Sequence, residues 1–81
     1  MIENGSMHEL LLDVSPSISW GDLARRYFTK SAPWFYQRLN GRDGNGAVCA
    51  FKPEERARLA FALRDLAGRL TEAALRVEAA G

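Results

Sequence analysis

Arg25, Arg26, Lys30, Tyr36, Gln37, Arg38 and Arg42 fall within one stretch of the chain. Their chemistry is recognition rather than catalysis: Gln pairs bidentately with adenine, Tyr bonds a phosphate, and Arg serves guanine or phosphate. Nothing comparable assembles a reaction. His8 is the single histidine and has no oriented partner for acid–base work. Cys49 is the single cysteine, so it forms neither an internal disulfide nor a metal set and reads as a small apolar residue. The loop Asn40-Gly41-Arg42-Asp43-Gly44-Asn45-Gly46 is rich in Gly, but it lacks the Gly-Lys-Ser/Thr end of a phosphate loop and no strand leads into a helix there. No carboxylate pair or activated nucleophile is visible, so no enzyme activity, cofactor, metal or small-molecule substrate is expected.

The net charge of +1 conceals a segregation along the chain. Residues 1–18 hold Glu3, Glu9 and Asp13 with no Lys or Arg, a balance of −3. Residues 19–42 hold Arg25, Arg26, Lys30, Arg38 and Arg42 against Asp22, a balance of +4, and the remainder is neutral. Positive charge is concentrated where a phosphate backbone would attract it.

Two short helices must position these groups. Ser19 is an N-cap with Asp22 three residues on, and Ile18 and Leu23 have the spacing of a hydrophobic staple. Trp20, Leu23, Ala24, Tyr27 and Phe28 recur at helical spacing, and Thr29-Lys30-Ser31 interrupts the pattern. Pro33 then opens a second helix in its first turn, and Asn40-Gly41 closes it with a left-handed cap. Successive helical residues point about 100° apart, so Trp34, Phe35 and Tyr36 cannot share a face. Phe35 and Leu39 are the pair expected to be buried, with Leu23, Ala24 and Tyr27, and Trp34 is also assigned to the core. Ala32, Pro33, Tyr36 and Gln37 then face outward, with Lys30 and Arg38 at the margins and Arg25 as a further phosphate contact. Two helices so joined form the recipe for a helix-turn-helix, here over residues 19–41.

Ser31 to Gly41 resembles the recognition helix of the lac repressor family, which runs from a Ser to Leu-Asn-Gly, and Leu23-Ala24 matches the Leu/Val-Ala pair of that family's first helix. The turn is one residue longer here, and Phe28 stands near the family's small Gly, so a different interhelical angle is expected. The resemblance implies that Ala32, Pro33, Tyr36 and Gln37 meet the DNA groove. The stretch is also similar to a family of small uncharacterised bacterial proteins with the signature Ser-Trp-x-x-Leu-Ala-x-x-Tyr-Phe-x-Lys-Ser-x-x-Trp-Phe-Tyr-x-Arg-Leu-Asn-Gly, a likeness that covers most of the chain and implies no particular activity.

The rest of the chain supplies support. Met1 to Gly5 has no periodicity and is expected to fray. Ser6 and Glu9 have capping-box spacing at the head of a first helix, whose Met7, Leu10, Leu11 and Val14 share a face before Ser15-Pro16-Ser17 ends it. Ala47 to Phe51 reads as extended, a loop or wing. Pro53 starts a long last helix, residues 53–79, with Glu54 and Glu55 in its first turn. Leu59, Leu63, Leu66, Leu70, Ala73 and Val77 form its apolar seam, broadened by Ala60, Ala67 and Ala74. Asp65 with Arg69, and Glu72 with Arg76, read as helix pairs facing water. The far end of this helix outruns what short helices can cover, so Leu70, Ala73 and Val77 are expected to meet a second copy.

With 81 residues, 47% hydrophobic and 26% charged, the chain reads as one globular domain over residues 1–81. The apolar run Leu10-Leu11-Leu12 stops at Asp13, which argues against a membrane span or secretory signal and for the cytoplasm. The expected fold is all-α, about four helices with a central variant helix-turn-helix. The expected function is binding of double-stranded DNA by a homodimeric small regulator or accessory factor, and the alternative is a helical protein-interaction module that grips an acidic partner.

Overall fold

Helix α1 spans Ser6–Leu10 in the computed structural model, which describes residues 6–81. The fraying expected of Met1 to Gly5 and the cap expected from the Ser6 side chain lie outside what it describes. The helix stops at Leu10, short of the run to Val14 that the apolar pattern suggests. Bonds from Leu11 N–H to the His8 carbonyl and from Leu12 N–H to the Glu9 carbonyl, both 3.3 Å, tighten the chain into turns. A piece this short has little helical stability of its own, so burial decides its course. Leu11 is buried and Met7 packs against the core, whereas Leu10 and Val14 are exposed.

A 3-10 turn, Ser15–Ser17, follows, and Trp20 anchors it by donating its indole N–H to Ser15 Oγ at 2.8 Å. The Ser19 hydroxyl accepts the Asp22 N–H at 3.2 Å and opens α2, Trp20–Leu23. This helix continues into a π-helical turn, Ala24–Phe28. The Ala24 carbonyl accepts from the N–H groups of both Thr29 and Lys30, and Thr29 takes left-handed geometry at φ 57°. For a β-branched residue that geometry costs on the order of 1 kcal/mol.

Ser31 then caps α3, Ala32–Asn40, with Pro33 in the first turn and Gly41 closing it at φ 82°. Phe35 is wholly buried and Leu39 nearly so, as their one-turn spacing requires. Trp20 stacks on Phe35 at 5.1 Å between ring centroids, joining α2 to α3. Close approach at the start of the pair depends on Gly21, where a Cβ would come within 3.2 Å of the Ala32 Cβ.

After Gly41 the chain makes a narrow loop. Arg42 and Val48 form an isolated antiparallel bridge, and Asp43 Oδ1 accepts the N–H groups of Asn45 at 2.8 Å and Ala47 at 3.0 Å. The extended pairing is limited to that bridge, and no strand forms among the described residues. Phe51 returns to the core against Phe35 at 5.2 Å.

Helix α4, Pro53–Ala80, begins with the Glu55 carboxylate accepting the Lys52 N–H at 2.8 Å. Its 28 residues rise about 42 Å, most of the molecule's 50 Å long axis. Leu59 and Ala62 are its buried residues, with Leu63 and Leu66 half-buried. Ala62 lies outside the expected seam yet is fully buried, whereas the neighbouring Leu63 is half-buried against the core. Asp65 and Arg69 do not simply pair in water: both engage Tyr27, whose hydroxyl donates to Asp65 and accepts from Arg69 at 3.1 Å. From Ala67 onward every residue is exposed except half-buried Ala73.

Candidate nucleic-acid interface

The two faces of α3 are chemically distinct. Phe35 and Leu39 point into the core, and Trp34 lies beside them, packed on Phe28 at 5.2 Å and Phe51 at 6.1 Å between ring centroids. On the other side Pro33, Tyr36 and Asn40 are exposed, Tyr36 at 44%, and Gln37 is half-buried. The rotation of α3 therefore leaves the phenol of Tyr36 and the flank carrying Gln37 on the outside.

Three exposed cations precede α3 in the chain. Arg25 and Arg26 approach opposite oxygens of Asp22 at 4.0 and 3.4 Å, yet their side chains remain 65% and 52% exposed. Solvent screens such pairs, so little energy holds either guanidinium to Asp22. Lys30 is exposed near the start of α3, its Nζ 5.8 Å from the Trp34 ring centroid. This distance suits a weak cation–π contact that leaves the ammonium hydrated.

Besides half-buried Gln37, two residues of the expected DNA-contacting set, Ala32 of the outward face and Arg38 of its margin, are less exposed than expected. Ala32 is half-buried because it faces Gly21 across the helix pair. Arg38 is turned inward: its side chain is 18% exposed, its Nε lies 3.3 Å from Glu55 Oε1, and its guanidinium lies 4.4 Å above the Trp34 ring centroid. The same guanidinium points an N–H at Cys49 Sγ, 3.6 Å away. Arg38 thus links α3 to the start of α4, its guanidinium engaged by the Glu55 carboxylate.

Arg26 and Asn40 belong to the exposed surface although the outward pattern of α3 did not select them. The charge segregation already marked Arg26, and Asn40 lies one turn after Tyr36 and Gln37. Arg42, just after α3, is exposed and donates to the Gly46 carbonyl at 3.1 Å. The resulting surface can donate hydrogen bonds and attract anions.

Residues 7–77 match a family described as Domain of unknown function (DUF5053), which takes in the helix pair and nearly all of α4. No curated protein and no solved structure matches the chain.

Proposed function

The chain belongs to the DUF5053 family, and from the geometry of its helix pair we propose that it binds double-stranded DNA as a small regulator or accessory factor. In this reading α2 and α3 act as a variant helix-turn-helix with α3 lying in the major groove. The observation that carries the reading is the division of α3: its aromatic side is spent on the core, while Tyr36 and Pro33 are exposed, Gln37 is half-buried beside them, and the preceding Arg25, Arg26 and Lys30 are exposed. Gln37 is the candidate for reading a base edge. Lys30 and Arg25 are the candidates for phosphate contact, and Tyr36 bonds a phosphate or packs on the sugar edge. Arg38 is assigned a supporting role because Glu55 and Trp34 already hold it.

The alternative, a module that grips an acidic protein through aromatic anchors, has less support. Trp34 packs against Phe28 and Phe51 beneath Arg38, so Tyr36 is the one exposed aromatic of α3. Fluorescence anisotropy with random duplex DNA across a salt series tests the choice. Phosphate-driven binding requires log K to fall linearly with log salt, by about 0.9 per phosphate contacted. Absence of duplex binding at low salt rules the proposal out.

A further inference from the structure

A cleft of about 230 Å³ opens between α4 and the chain that leads into α2. Val14, Ile18 and Leu23 wall one side, and Leu66 and Leu70 the other, with Asp22 on its lining. Immediately beyond it the same side of α4 runs free. Leu70 is 61% exposed and Val77 is 70% exposed, with Ala73 between them. A ridge and a cleft thus adjoin on one chain, the arrangement that a two-fold axis makes self-complementary.

We propose that the cleft receives the C-terminal ridge of a second copy, so that two chains dimerise through antiparallel α4 helices, each burying Leu70, Ala73 and Val77 against the other's Val14, Ile18 and Leu66. The antiparallel sense follows from where the features lie. Parallel helices set each ridge against its own counterpart and leave both clefts unfilled. Turning one copy about an axis across α4 between Leu70 and Ala73 brings Val77 to the level of the other copy's Leu66. Charge is compatible: Asp22 on the cleft, which exposed Arg25 and Arg26 hold only weakly, can meet Arg76 on the flank of the ridge, and Arg69 on the same lining is bonded to the Tyr27 hydroxyl.

The inference does not depend on DNA binding.

Sedimentation equilibrium of the full chain over a dilution series tests it, with circular dichroism recording the fold. Wild type is expected to be dimeric. Val77→Glu on the ridge and Val14→Glu on the cleft wall alter exposed positions, so each should keep the helical spectrum and weaken the dimer by at least about tenfold. A wild type that remains monomeric at the highest concentration overturns the proposal. So does a dimer that responds to Val77→Glu but not to Val14→Glu, because the cleft then plays no part. Cysteine pairing tests the helix sense on a Cys49→Ala background. Leu66→Cys with Val77→Cys in one chain should give cross-linked dimer on mild oxidation, and Val77→Cys alone should not, because its own counterpart then lies about 16 Å away along the helix; cross-linking by Val77→Cys alone excludes the antiparallel arrangement. If a glutamate variant loses its helical spectrum, cross-linking of the paired-cysteine chain compared with that of Val77→Cys alone still decides.

Discussion

The Tyr27 hydroxyl donates a hydrogen bond to the Asp65 carboxylate across a separation of 38 residues. The π-helical turn Ala24–Phe28 makes the contact possible, because its wider winding carries Tyr27 toward α4 while Phe28 joins the aromatic cluster around Phe35. Arg69 donates to the same hydroxyl, and Arg58 donates to the Tyr27 carbonyl at 3.5 Å. One residue thus attaches the end of the first paired helix to α4. Tyr27→Phe keeps the ring and removes the hydroxyl, and should lower the unfolding free energy by about 1 kcal/mol in urea titration. A double-mutant cycle with Asp65→Asn should give a non-zero coupling.

Thr29 occupies left-handed geometry that suits Gly or Asn better than a β-branched residue. Thr29→Asn should therefore stabilise the protein by about 1 kcal/mol, raising Tm by roughly 4–8 °C in a domain of this size. Thr29→Gly should gain less, since its unfolded chain has more freedom to lose. A lower Tm for both variants would mean that the Thr29 side chain supports the turn.

Arg38 and Lys30 are one helix apart in position and opposite in expected role. Arg38→Ala strips Glu55 of its guanidinium partner and uncovers Trp34, so unfolding free energy should fall by about 2 kcal/mol while the salt slope of DNA binding stays unchanged. Lys30→Ala should leave thermal unfolding where it is and reduce that slope by about one unit. Exchange of the two outcomes would show Arg38 swinging outward onto DNA.

Gln37→Ala should act on sequence preference. The expected loss is about 1–3 kcal/mol on a selected site, with random duplex nearly unaffected. Selection of a site from a random library followed by binding of both proteins measures this difference, and an equal loss on both DNAs would reassign Gln37 to the backbone.

Phe35→Ala removes the ring on which Trp20 and Phe51 pack. A cost of about 3–5 kcal/mol is expected, enough to leave a domain this small largely unfolded at room temperature by circular dichroism.

Local rules made much of this molecule legible in its residues. Ser19 and Ser31 cap the helices they precede, Pro33 and Pro53 sit in first turns, and Gly41 closes α3, because each role depends on bonds within a few residues. Phe35 and Leu39 could be assigned to the core for the same reason: one-turn spacing on a nine-residue helix leaves little choice of face. Tertiary structure alone decided the other matters. Leu11 enters the core and Leu10 does not, Ala62 rather than Leu63 is fully buried, and α2 widens into a π turn. Trp20 finds Ser15, Tyr27 finds Asp65, and Arg38 is drawn from the outer face to Glu55. In the last two the partner lies 38 and 17 residues away, on an element whose position is set by packing. Periodicity along one helix specifies a face, whereas the identity of what covers that face depends on the arrangement of all the others.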